Sequence, residues 1–190
     1  MKISCSKNDL LYGINIALRA VPGKTTLPIL ESFLIDATSD IRIIANDNDM
    51  GIETVINGKI ETPGKITINA RILSDIVRKL PDNQVVIETS VNFKVRITCE
   101  DSEFVLNGNN PNEFPELPRE NTENKITMSQ FLLKELIRQT IFSIAATDAN
   151  AIMRGELFEV SGDQIKSYPW TAIVFPSEKK NWQIRTSHAK

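Results

Sequence analysis

The side chains most often recruited for chemistry are scarce here: 190 residues hold two cysteines, one histidine and two tryptophans. Cys5 and Cys99 are too few and too far apart for a disulfide framework or a zinc site. The single histidine, His188, sits at the far end of the chain. A Ser/His/Asp or Cys/His nucleophilic arrangement therefore has no base to be built around. Gly155 and Gly162 stand isolated, so no glycine-rich loop is available to cradle a phosphate. No apolar run approaches the roughly 20 residues that a membrane helix needs. The chain opens directly on a strand pattern and lacks the charged-then-apolar order of a signal peptide, which makes the cytoplasm the expected location. Net charge is only −2, so the total gives no hint of nucleic acid, although a near-neutral protein can still carry one basic face. These absences exclude most enzyme classes. No cofactor, metal or membrane partner is expected.

What the sequence does have is a repeat. Lys2-Ile3-Ser4-Cys5-Ser6 returns as Lys65-Ile66-Thr67-Ile68-Asn69 and again as Lys125-Ile126-Thr127-Met128-Ser129, 63 and then 60 residues on. Each copy alternates as a half-buried strand should and ends on a helix-capping side chain. Behind each cap runs a segment of helical period: Leu10, Leu11, Ile14, Leu18, then Ile72, Leu73, Ile76, Val77, Leu80, then Leu132, Leu133, Leu136, Ile137, Ile141. One strand–helix unit has been used three times.

Strands are expected at Ile29–Asp36 (entered through Pro28), Ile41–Ala45 and Met50–Ile56, and after the second helix at Val85–Thr89, Phe93–Thr98 and Glu103–Leu106. The first two modules thus read as β-α-β-β-β, and Thr62-Pro63-Gly64 is the turn between them. Asn107 to Asn124, rich in Asn, Pro and Glu, reads as a linker, and Gly155–Val160 as the next strand of the third module. Helices on one face of antiparallel strands make an α+β layer architecture. Asp47-Asn48-Asp49-Met50-Gly51 opens like a calcium loop, but it lacks the third oxygen ligand before Gly51, and its twelfth position is Gly58 rather than Glu. An exposed polar turn is the better reading. A metal-dependent enzyme centred on Asp47 and Asp49 lacks a third ligand for the same reason.

With the apolar stripes turned inward, the remaining helix positions define an outer face. Arg71 and Arg78 lie two turns apart on one side of the second helix, with Lys79 beside the latter. Lys134 and Arg138 are four apart on the third, and Arg19 ends the first, followed by Lys24 in its loop. Such residues on a single helix are ordinarily a solvated face. Repetition across three related helices would bring them onto a common surface able to meet phosphates.

Thr26-Leu27-Pro28-Ile29-Leu30, Ala45-Asn46-Asp47, Phe114-Pro115-Glu116-Leu117-Pro118, Phe131–Ile137 and Gly155-Glu156-Leu157-Phe158-Glu159 together resemble the bacterial DNA polymerase III beta subunit, the sliding-clamp family. The resemblance runs from Met1 to about Lys166. It implies a DNA-clamp fold in which each domain is two β-α-β-β-β modules, with a complete first domain at 1–118 and the start of a second at 119–166. It also implies a homodimeric ring around duplex DNA, non-catalytic, that tethers the replicative polymerase. The polymerase and the clamp loader would dock through short peptide motifs. By the same resemblance Lys24 and Arg71 occupy DNA-contact positions, and the basic helix faces carrying Arg19, Arg78, Lys134 and Arg138 point at DNA. The loop Thr147–Ile152, with Asn150, corresponds to another DNA-touching loop, although it holds no basic or aromatic residue. Ser102, Phe104 and Leu106 on the edge strand, with Ile72 and Asp75 on the second helix, match the dimer interface. Met153 matches a position lining the peptide pocket. A different class remains open beside this one: a standalone module that binds protein partners through an exposed sheet edge and never touches DNA.

After Lys166 the family pattern, an apolar pair followed by Ser-Leu-Asp-Gly-Tyr/His-Arg, gives way to Ser167-Tyr168-Pro169-Trp170-Thr171-Ala172-Ile173-Val174-Phe175, which fits no strand or helix period. Read one nucleotide out of register, codons for Trp170 through Val174 can spell Leu-Asp-Gly-Tyr-Arg-Val. Residues 167–190 are accordingly expected to be a non-native tail produced by a frameshift, leaving the second domain incomplete and the ring unable to close.

Overall fold

The computed structural model describes residues 1–48, 50–117, 127–144, 154–161, 164–169 and 184–185, in two compact units, Met1–Arg119 and Glu120–Lys190.

In the first unit, β1 (Lys2–Ser6) buries Ile3 and Cys5 on one face, as its alternation requires. Ser6 then caps α1 (Lys7–Ala17): its Oγ accepts the Asp9 N–H at 3.0 Å, satisfying one of the orphan donors of the first turn. The same device recurs in the second copy. Following β6 (Lys65–Asn69), Asn69 Oδ1 accepts the Ile72 N–H at 3.1 Å at the start of α2 (Ala70–Lys79). Between these lie β2 (Ser32–Asp36), β3 (Ile41–Asn46), β4 (Gly51–Ile56) and β5 (Lys59–Thr62). After α2 come β7 (Gln84–Thr89), β8 (Lys94–Cys99) and β9 (Ser102–Asn107).

The strands form two antiparallel sheets, ordered β5-β1-β7-β8-β9 and β4-β3-β2-β6. The order shows how the two modules are joined. β1, the first strand of module one, pairs with β7 of module two, while β6, the first strand of module two, pairs with β2 of module one. Each module lends its opening strand to the other's sheet. α1 and α2 pack against each other, α1 also against β3 and β4, and α2 against β2 and β6. The approach of α1 to β4 is close enough that a Cβ at Gly13 would collide with Ile56 Cγ2. Leu10, Ile14, Phe33, Ile43, Ile68, Leu73 and Ile87 are fully enclosed in the shared core.

Three expectations need correction. The strand expected from Ile29 begins only at Ser32, because Pro28–Glu31 forms a 3₁₀ turn that buries Leu30; Pro28, with its fixed φ, opens the turn. Module one also has a fifth strand, β5, too short to announce itself by pattern. It adds to the free edge of β1, where Lys2 meets Glu61 at 2.9 Å. Finally, the first part of the expected linker belongs to the first unit. Gly108 N–H donates to Phe93 O and Asn109 N–H to Thr67 O, both at 2.8 Å, Phe114 is buried, and Leu117 packs over Gly51. Two apolar anchors outweigh a polar composition.

In the second unit, Ser129 Oγ accepts the Leu132 N–H at 3.2 Å and caps α3 (Gln130–Thr140). β10 (Glu156–Ser161), β11 (Gln164–Pro169) and β12 (Ile184–Arg185) form a sheet in that order, with α3 against β11. Strand pairing continues to Pro169, opposite Glu156, three residues past the point where no strand period was expected. A cross-strand ladder supplies there what local pattern did not.

Candidate nucleic-acid interface

Arg71 begins the outer face of α2. A cation in the first turn of a helix is disfavoured by the helix dipole. Its guanidinium is drawn off the axis, and Nη2 donates to the Gly23 carbonyl at 3.4 Å. Gly23 belongs to the loop that follows α1, and Lys24 is the next residue, exposed. The two residues that the family resemblance singled out for DNA contact, 47 positions apart and in different modules, are thereby brought onto one patch. Arg19, exposed in the 3₁₀ turn Leu18–Ala20 that ends α1, approaches the same loop along the chain. Lys79 is exposed at the C-terminal end of α2. Arg19, Lys24 and Lys79 make no ion pair with any described residue.

Other expected cations are partly spent. Arg78 faces Asp75 at 3.9 Å, one turn back on α2. Arg138 on α3 makes a two-pronged contact with Glu135, at 3.0 and 2.6 Å, and Gln139 donates to the same carboxylate at 2.9 Å. The Arg138 hydrogen bond, helped by Gln139, holds the Glu135 carboxyl down to about 2. Asp75–Arg78 and Glu135–Arg138 occupy equivalent places in the second and third copies of the repeat. Counting basic residues alone could not reveal this neutralisation; scanning for an acid three residues earlier would have. Lys134 remains exposed on α3. Lys7, by contrast, turns inward and caps the C-terminal end of α2 through the Leu80 carbonyl, a structural role that links the modules.

The expected dimer-contact residues also sit as an edge would need them. β9 pairs only with β8, so its other side is open, with Phe104 and Val105 exposed and Leu106 leaning on the core. Ser102 opens the same strand; Ile72 and Asp75 are exposed on α2. Asn150 and Met153 lie outside the described residues, as do Asp49 and most of the loop Thr147–Ile152. The Asp47 turn uses its oxygens locally: Met50 N–H donates to Asp47 Oδ1 at 2.6 Å and Asn48 N–H to Asn46 Oδ1 at 2.8 Å. Among the described residues no group of three His, Cys, Asp or Glu side chains could hold a metal ion, and no helix is long and apolar enough to cross a membrane.

The model of the DNA polymerase III beta subunit N-terminal domain matches residues 1–118. The chain belongs to that family. Among curated proteins, the beta sliding clamp of Bacillus subtilis is 34% identical over 174 residues, covering 87% of this chain and 46% of the relative. Among solved structures, a DNA polymerase III beta subunit from Eubacterium rectale superposes with a TM-score of 0.83 at 50% identity, over 88% of this chain and 46% of that one. The B. subtilis sliding clamp does so with a TM-score of 0.82 at 33% identity, over 87% and 46%. The chain therefore has the α+β clamp architecture and spans about half the length of the curated relatives it matches. The module pairing and the Arg71–Lys24 patch both fall inside the region covered by the family match.

Proposed function

We propose that this chain is the N-terminal part of a sliding-clamp subunit whose α1 and α2 face turns toward duplex DNA and holds it without reading its sequence. The observation that carries this reading is the meeting of Arg71 with the Gly23–Lys24 loop across the joint between modules. It puts two cations from two repeats on one exposed patch, and neither is matched by a described carboxylate. Phosphate contacts of this kind are salt-sensitive and position a duplex without specifying bases. Water bridging side chain and phosphate lets the protein slide. The role is a tether, non-catalytic and without cofactor, exercised in the cytoplasm. In the intact subunit the β9 edge (Ser102, Phe104, Leu106), with Ile72 and Asp75, would form one side of a homodimeric ring contact. Polymerase and clamp loader would dock through short peptides near Met153. Asn150 would lie near the duplex, and Arg19, Arg78, Lys134 and Arg138 would complete the basic lining. The other half of that ring contact lies in the part of the relatives that this chain does not span. The 190-residue chain is accordingly proposed not to close a ring or confer processivity, with residues 167–190 the product of a frameshift near Lys166. The gene sequence downstream of Lys166 tests the last point: if no single-base shift restores the family pattern, the frameshift is refuted.

The DNA reading is tested by anisotropy of a labelled duplex over a salt series. Changing Lys24 and Arg71 to Ala should weaken binding alike for all sequences and lower the salt slope by about one for each phosphate no longer neutralised. Unchanged affinity would overturn it. That result would favour a second reading supported by the open β9 edge, a module that adds a partner's strand and leaves DNA alone. A primer-extension assay checks the ring statement, which a processive, stable dimer would refute.

A further inference from the structure

Unit one shows what a module needs. In both of its modules the second strand lies between two neighbours: β2 between β3 and β6, β7 between β8 and β1. In each case one neighbour is the opening strand of the other module. The third module lacks that neighbour. β10, its counterpart of β2 and β7, pairs with β11 alone among the described residues, so one edge is open. Its own opening segment, described from Thr127 to Ser129, is in no strand.

The side chains repeat the point. The three N-caps fix the register of the copies, because Ser6, Asn69 and Ser129 each accept from the residue three places on. In that register Leu133 corresponds to Leu10 and Leu73, which are fully buried, yet Leu133 is 38% exposed. Ile137 is half-buried where Ile14 and Val77 are sealed, and Met128 likewise where Cys5 and Ile68 are. Leu157 and Phe158, neighbours on opposite faces of β10, are both exposed, as is Val160. The third module carries the face that its sister modules bury against each other, and has nothing on it.

From this we infer that the third module forms a twofold dimer with the third module of a second copy of this chain. In it each copy lays its Thr127–Ser129 segment along the open edge of the other's β10. The occupant is a second copy because the repeat is self-complementary: modules one and two are variants of one unit, and they join by a reciprocal exchange of opening strands, β1 to β7 and β6 to β2. Two identical modules can make the same exchange by a twofold axis, each supplying what the other lacks. Lys134, at the place of Leu11 and Ser74, is long enough to carry its ammonium out of such a joint. This contact is separate from the β9 edge of the first unit.

Sedimentation velocity of the 190-residue chain across a concentration series reads the outcome. Twice the monomer mass is expected. Thr67 directs its own N–H and C=O to Asn109, so Ile68, the next residue, faces β2; by the repeat, Met128 N–H would face the partner's β10. Met128→Pro should therefore give a monomer, as should Leu133→Lys, while Phe104→Ser on β9 should leave the dimer intact. Retention of the first unit's thermal transition shows that the variants remain folded. If Met128→Pro disturbs α3 in circular dichroism, Leu133→Lys decides, since that side chain is already exposed in the monomer. A chain that stays monomeric throughout overturns the inference. So does a dimer lost with Phe104→Ser and kept with Leu133→Lys, and so does a monomer that associates only with a separate polypeptide.

Discussion

α2 and α3 are built from the same pattern. Each follows a Lys-Ile-Thr strand motif, each is capped by an Asn or Ser side chain on the same N–H, and each carries an acid–Arg pair at the same place. Leu73 and Leu133 are nonetheless in different worlds, one without solvent exposure and the other more than a third exposed. The difference does not lie in either helix. Burial of an amphipathic face belongs to the pair of surfaces that meet, and only the first unit has both.

The largest expected effect follows directly. Leu73→Ala should cost about 2–5 kcal/mol, because it opens a cavity in a packed core. Leu133→Ala, measured by denaturation at concentrations where the chain is monomeric, should cost less than about 1 kcal/mol. Equal losses would break the comparison. The caps should behave alike in both surroundings: Asn69→Ala and Ser129→Ala should each cost about 1 kcal/mol, since the orphan N–H is local to the helix. A cap that mattered in only one unit would mean that its helix is held by something else.

The buried carboxyls separate the units by sign. Burial pushes Asp36 up, but hydrogen bonds from the Thr38 side chain and backbone and the Lys65 ammonium at 2.9 Å outweigh it, so its carboxyl stays below the usual range. A carboxyl held below its unfolded value of about 3.9 gives stability that is present above that pH and lost as pH falls through the lowered native value. Asp36→Asn should then cost about 1–2 kcal/mol at neutral pH, the gap closing in acid. In the second unit burial pushes Glu156 up, and its buried Oε1 has no partner. A raised carboxyl favours the fold while protonated, below its unfolded value, and loses that contribution as pH rises through the native one. Glu156→Gln should therefore stabilise the second unit at neutral pH and flatten its pH profile. Urea unfolding of each variant across the acid range reads both. The smallest expected effect is Glu135→Gln, which releases Arg138 without a measurable change in unfolding. If the α3 face meets DNA as proposed for α2, duplex affinity should rise slightly and its salt slope steepen.

Much of this was legible in the chain itself. The 63- and 60-residue repeat marked every helix start, because a cap is a short-range contact written in three or four residues. Lys24 and Arg71 were legible as candidates through their surroundings in the sequence. That Arg71 reaches over to Gly23 was not, since nothing local in either segment refers to the other. β5 and the last residues of β11 escaped because their strand character comes from a partner, β1 in one case and β10 in the other. Asn107–Leu117 read as linker by composition, and Phe114 and Leu117 acquired meaning only against the surface beneath them.

By itself, then, the sequence determined three capped amphipathic helices, their opening strands and a division into repeats. Those features depend on contacts within a turn or two, and local physics enforces them wherever the segment finds itself. Only the tertiary structure decided that modules one and two exchange their first strands, that Arg78 and Arg138 are held by carboxylates on their own helices, and that the third module's apolar face stands uncovered. These depend on which surfaces lie opposite, and a one-dimensional pattern fixes what a face is made of without fixing what it meets.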